Sequence, residues 1–424
     1  MTRTTRTRRR WPVDDLIRRV CDALDIAANA LEVLASEGFT STEEPGTTVR
    51  PEKVIAESAV LLLAASAVAR HDAVRCRVNR VVERLAPHAR SDRMLLAICT
   101  EPALAWDYAL AHVCLTRLGH PDERFDSVLE LIARAQTRNG HERPAHRVLE
   151  QRWIMRGLQL APSGESPAVR TLPTGSGSVL AWPVDLLSGN REDIYAFTHA
   201  LMYVTDFNLH PGRLPRSRKT ILGEAEVMLA RCLDEEDYDL AGEVLLAWPL
   251  TGRSWGTTAT FGFQLLASVE DRAGFLPSAG LRPEHLNTLS AVDRRKYLLA
   301  TAYHTAYVMG LLCAAALHRL PPVQLKVGPT REGIGRVLLA KLDADCRRPH
   351  WREAIEPLAE RQHDGLASMF LAIGLRRSVV RRDFARLHDF LKTGLESGLV
   401  DSPAASQAAE LLARLGRASE AATA

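Results

Sequence analysis

EKVIAESAVLLLAASAVAR (Glu52–Arg70) is the stretch that decides the fold class. Good helix formers fill it, and apolar residues fall at nearly every core position of a 3.6-residue period. Working outward, the same pattern recurs near residues 13–36, 72–86, 102–118, 122–138, 142–158, 192–207, 218–234, 237–248, 257–272 and 293–318. Beyond a Pro-rich break it continues near 331–346, 349–361, 364–378, 382–396 and 402–416. Pro and Gly sit mainly between these segments, as punctuation. No long run alternates with period two. The pattern predicts an all-α protein of roughly fifteen to eighteen helices. Short loops between consecutive helices make them antiparallel neighbours, so the expected architecture is an irregular α/α toroid or a multi-helix bundle of antiparallel hairpins. The lack of a regular sequence period counts against a tetratricopeptide-like array.

Composition shifts divide the chain. Residues 1–12, opening MTRTTRTRRR, read as a disordered basic arm. An N-terminal helical region follows over 13–160, and within it GFTSTEEPGTTVRP (Gly38–Pro51) sets the first helix apart. Residues 161–178, APSGESPAVRTLPTGSGS, read as a linker or a mobile loop over a site. A central helical core over 179–320 ends at LPPVQLKVGP (Leu320–Pro329), which detaches a basic C-terminal helical region, 330–424.

With 46% hydrophobic and 25% charged residues, the composition is that of an ordinary soluble globular protein. A net charge of +3 gives no bulk electrostatic case for nucleic acid, and none is expected as a partner. No apolar run approaches the roughly 18–20 residues that span a bilayer, the longest being Ala59–Ala69, so no membrane is expected. Seven scattered cysteines, none in C-x-x-C spacing, suit reduced thiols and a cytoplasmic protein. Arg outnumbers Lys 48 to 6, the usage of a high-GC genome such as an actinobacterial one.

One helix carries unusual chemistry. In DIYAFTHALMYVTDF (Asp193–Phe207), Tyr195, His199, Met202/Tyr203 and Asp206 share one face. A core-facing stripe is normally apolar, and this one holds an imidazole, two phenols and a carboxylate. A second helix, YLLATAYHTAYVMGLLCAAAL (Tyr297–Leu317), places Tyr303, His304 and Tyr307 together beside Gly310. If the two helices pack together, His199, Asp206 and His304 converge, and two imidazoles with a carboxylate suit iron, manganese or zinc with open positions. The competing reading is a buried hydrogen-bond network in which each His is satisfied by a Tyr or a carbonyl.

Other charged features read as structural. The run Asp234-Glu-Glu-Asp-Tyr-Asp239 loosely matches a diphosphate-binding acid motif through Glu235, Glu236 and Asp239, but it sits between helices, where acids complement the next N-terminus. Asp239 and Glu243 are nonetheless i, i+4 and could reach a cavity. Glu270 and Asp271 at a helix C-terminus call for a salt bridge or mark a functional rim, and Arg376-Arg377 with Arg381-Arg382 form a basic face. Walker A, G-x-G-x-x-G after a strand, G-x-S-x-G, H-E-x-x-H and the kinase set are absent.

Four segments appear in one order: MLLAICTEPALAWDYALAHVCLTRLGHPDERFD (94–126), LAWPVDLLSGNREDIYAFTHALMYVTDFN (180–208), CLDEEDYDLAGEVLLAWP (232–249) and LATAYHTAYVMGLLCAAAL (299–317). Together they resemble an uncharacterised family of actinobacterial proteins, a domain of unknown function, over about residues 90–320. The resemblance implies a helical bacterial protein and brings no activity and no functional residues. The function expected from the residues is an enzyme of bacterial specialised metabolism with a small molecule or peptide as substrate. His199, Asp206 and His304 would bind a divalent metal or act as general acid and base, with Tyr203 and Tyr307 orienting substrate. The alternative is a non-catalytic helical scaffold holding a peptide or protein partner.

Overall fold

A computed structural model describes residues 13–34, 51–135, 142–160, 175–209, 212–278, 281–319, 332–343 and 349–423. The expected arm over 1–12, most of the expected linker over 161–178 and the break at 320–329 lie outside these residues. The protein is all-α, with no strand among the described residues.

In chain order the helices are α1 (Val13–Leu34), α2 (Pro51–Ser66), α3 (Asp72–Ala89), α4 (Asp92–Thr100), α5 (Ala105–Arg117), α6 (Glu123–Ala135) and α7 (Ala145–Gly157). Next come α8 (Arg191–Val204), α9 (Arg218–Glu235), α10 (Tyr238–Leu245), α11 (Ala247–Leu250), α12 (Thr257–Ala273), α13 (Pro283–Thr288) and α14 (Ala291–Arg319). The C-terminal set is α15 (Ile334–Asp343), α16 (His350–Ile355), α17 (Glu360–Gly365), α18 (Ala367–Val380), α19 (Phe384–Glu396) and α20 (Pro403–Thr423).

Six helices close a circuit of neighbours: α2 touches α5, α5 touches α7, α7 touches α8, α8 touches α10, α10 touches α14, and α14 returns to α2. Most of their polar chemistry faces the space they enclose. α1 packs along α14 on the outside of the circuit. Glycine makes that approach possible, since a Cβ on Gly310 would lie 2.4 Å from Ala23 Cβ and 2.9 Å from Leu61 Cδ1. α9 backs α10 and carries α18 and α20, so buried residues from Leu16 to Ala408 form one continuous apolar cluster.

The charged runs pair with each other. Asp234 is buried against Arg377 (2.5 Å) and accepts from Trp351 Nε1 (3.0 Å), while Glu235 holds Arg376 (3.0 Å). The acidic run and the basic C-terminal face are thus two halves of one seam. Glu270 and Asp271 meet Arg19, whose side chain is 2% exposed, so the awkward acids at the end of α12 are neutralised from α1. α14 is long and apolar enough to cross a membrane by length and composition alone, but 72% of its most apolar window is buried within the protein, as in a core helix.

Candidate active site

The circuit encloses a cavity of about 940 Å³, walled by apolar side chains such as Val60, Leu61, Leu104, Leu110, Met202, Phe207, Val308 and Leu311. That volume suits a small molecule. Two polar clusters interrupt the apolar wall.

The first cluster centres on His304 of α14. Its Nδ1 lies 2.9 Å from Glu57 Oε2 on α2, and its Nε2 lies 3.2 Å from Asp239 Oδ1 and 3.8 Å from Glu243 Oε1 on α10. Asp237 caps α10 by accepting from Leu240 N (3.2 Å), which fixes the start of the helix and puts Asp239 and Glu243 one turn apart on the same face. Gly242 lets α10 press on α14, because a Cβ there would lie 2.6 Å from Val308 Cγ1. Burial works against a charged imidazole here, but the carboxylates of Glu57, Asp239 and Glu243 outweigh it and hold His304 well above the ordinary histidine range. In return, although burial opposes it, the imidazole holds Glu57 and Asp239 below their usual carboxylate values. Tyr307 binds Ser58 (3.0 Å) beside this cluster, and burial pushes its phenol up.

The second cluster centres on Glu150 of α7, 4% exposed. It accepts from Tyr203 OH (2.5 Å) and pairs with Arg147 (2.6 Å), whose Nη2 reaches Tyr195 OH at 3.4 Å. His199 links the two clusters. Its Nδ1 lies 3.0 Å from the Tyr195 carbonyl and 3.5 Å from Glu243 Oε2, two acceptors, so Nδ1 is the ring nitrogen that donates. The ring stacks on Tyr195 with centroids 3.7 Å apart. Burial, then the neighbouring His199 and Arg147 charges, push His146 down to about 4.

Of the residues expected to converge, His199, Tyr203, His304 and Tyr307 all line the cavity, and both histidines meet Glu243. Asp206 does not join them. α8 ends at Val204, and Asp206 and Phe207 both adopt φ 51°, so extending the helical face to i+11 fails two residues past the helix end. The Asp206 carboxylate, 0% exposed, instead binds Arg117 (2.8 and 3.0 Å), Trp153 Nε1 (2.6 Å) and Arg156 (3.3 Å). The expected set of His199, Asp206 and His304 as metal ligands is therefore not assembled; Asp239 and Glu243 stand where Asp206 was expected.

Glu57, Arg147 and Glu150 were missed by the sequence reading. A signal existed: Glu57 and Glu150 are lone carboxylates on buried helix faces, beside Ser58 and Leu149, and such carboxylates are rarely buried without a partner.

A family model described as a domain of unknown function, DUF6895, matches residues 20–314. No curated protein and no solved structure matches this chain.

Proposed function

The chain belongs to the DUF6895 family, and on that premise we propose that it is an enzyme acting on a small molecule held in the cavity. The observation that carries this reading is the convergence of one imidazole and three carboxylates from three helices, with Glu57, Glu243 and His304 lining an apolar-walled cavity. A carboxylate–imidazole centre supplies acid–base chemistry, and shifted titration in a cavity is the usual sign of a reactive site. In this reading His304 donates and accepts the proton, with Glu57, Asp239 and Glu243 setting its charge. His199 lines the same cavity, and Tyr195, Tyr203 and Tyr307 orient the bound molecule. Asp206 has no part in the chemistry and holds the end of α8.

An actinobacterial, cytoplasmic setting is supported by the 48-to-6 ratio of Arg to Lys and by the unpaired thiols among the described cysteines. An apolar cavity in a chain without nucleotide-binding motifs supports a step of specialised metabolism.

Fragment binding to the full chain, read by ligand-observed NMR in the presence of EDTA, tests the reading. Fragments of low polarity bind wild type and weaken in Val60→Trp, which pushes an indole ring into the cavity from its wall; those carrying a hydrogen-bonding group weaken in His304→Gln. Equal binding to wild type and Val60→Trp overturns it. Binding of long peptides alone, with no small fragment bound, favours the scaffold.

A further inference from the structure

We propose that Asp239, Glu243 and His304 Nε2 form a binding site for one divalent metal ion, with Glu57 on the opposite ring nitrogen, Nδ1, orienting the imidazole. This rests on the reading of the cavity as an active site and deepens it by naming an ion at the carboxylate–imidazole centre; with the ion bound, His304 is a ligand and His199 is the imidazole of the cavity left to move protons. Its test reads binding alone, so either idea can fail without the other.

Geometry is the first support. One donor atom from each of Asp239, Glu243 and His304 lies within 4.8 Å of the others. Donors bound to one ion at about 2.0–2.6 Å lie no more than about 4–5 Å apart across it. Asp239 and Glu243 share one face of α10, and His304 comes from the facing helix, so the three approach from two rigid elements.

Unmet bonding capacity is the second. The Glu243 side chain is 2% exposed; Thr198 donates to Oε2 at 2.6 Å, but the nearest cation to Oε1 is His304 at 3.8 Å, past hydrogen-bond range. Glu57 Oε2, Asp239 Oδ1 and His304 Nδ1 are buried and meet only as misaligned ion pairs, His304 Nδ1 with Glu57 at 2.9 Å and His304 Nε2 with Asp239 at 3.2 Å. One imidazole is shared among three carboxylates, which leaves their accepting capacity in excess of the donors present.

Charge is the third. Glu57, Asp237, Asp239 and Glu243 bring four carboxylates. Against them stand His304 and Arg191, which divides itself between Asp237 (2.8 Å) and Asp239 (3.0 Å). Lys53, 3.6 Å from Glu57, is 59% exposed and largely screened by water. The site is acid-rich, and a divalent cation supplies positive charge at its centre. A set of carboxylates with one imidazole lies between the all-oxygen sites of Mg²⁺ and Ca²⁺ and the nitrogen-rich sites of zinc, and suits Mn²⁺ or Fe²⁺.

The test uses full-length protein stripped with EDTA, dialysed and titrated with MnCl2. Free Mn²⁺ is read by electron paramagnetic resonance and heat by calorimetry. Wild type takes up one Mn²⁺ per chain, as does Glu226→Gln, a carboxylate change outside the cavity. Asp239→Asn, Glu243→Gln and His304→Gln each bind at least about tenfold more weakly, a loss of about 1.4 kcal/mol or more. Glu243→Asp keeps the charge, draws the oxygen back by one methylene, and also weakens uptake. No uptake by wild type at millimolar Mn²⁺ overturns the proposal without any variant, and so does unchanged affinity in folded Glu243→Asp or Asp239→Asn.

Discussion

Replacing Asp206 with Asn separates a structural carboxylate from a functional one. Asp206 is fully buried and takes hydrogen bonds from Arg117, Arg156 and Trp153. Asn keeps the shape, tolerates the φ of 51° and still accepts from Trp153, so the backbone after α8 need not change. The loss is the charge that balances two guanidinium groups. Breaking a buried ion pair by removing one partner costs about 3–5 kcal/mol. Arg117 and Arg156 retain 16% and 24% exposure and can recover some hydration, which places the expected cost near the lower end, about 3 kcal/mol. Urea unfolding followed by circular dichroism measures it as a fall in the midpoint at unchanged slope. At low urea, Mn²⁺ uptake and fragment binding by the folded variant stay at wild-type level. An Asp206→Asn protein of unchanged stability that has lost ion or fragment binding would refute the assignment of Asp206 to the frame.

Three further outcomes follow from the same contacts. Gly310→Val forces carbon into the 2.4 Å gap against Ala23 and destabilises by about 1–3 kcal/mol through overpacking, read in thermal unfolding. Tyr203→Phe removes the 2.5 Å hydrogen bond to Glu150; bonds to a charged acceptor contribute about 1.5–3 kcal/mol, and because Arg147 still holds Glu150 the loss falls at the lower end in urea. On the acid side, His146 is neutral when folded down to about 4 against an ordinary 6.5, so the unfolded chain alone takes up a proton between these values. Stability therefore falls as pH drops from 6.5 towards 4, and His146→Leu flattens that slope in urea midpoints measured across the window. His304 acts oppositely: its raised value gives stability that is full below 6.5 and is lost as pH rises through its folded pKa.

The fold class was legible because helix periodicity is local. The apolar pattern of Glu52–Arg70 marks α2, and Asn190 with Asp193 marks the start of α8, where their side chains cap each other's backbone at 3.1 and 2.7 Å. Half of the site was legible for the same reason: the stripe of Tyr195, His199 and Tyr203 stands out on its helix, as does the Tyr303, His304, Tyr307 cluster. Asp206 was misplaced because a face can be extended along a helix only while the helix lasts, and the left-handed residues that end this one are an Asp and a Phe rather than a Gly. Asp239 and Glu243 showed as an i, i+4 pair at the end of an acidic run, but which acids of the run face a cavity depends on the tertiary pairing of Asp234, Glu235, Glu236 and Asp237 with Arg377, Arg376, His350 and Arg191. Glu57 shows only as a polar interruption in an apolar helix, and its role depends on where α2 meets α14.

An anomalous difference map from crystals of the full chain grown with MnCl2 tests the central claim most directly. The account predicts one strong peak at the end of the cavity between α10 and α14, bonded to Asp239, Glu243 and His304. A map with Mn²⁺ bound elsewhere and those three side chains paired only with one another would contradict it.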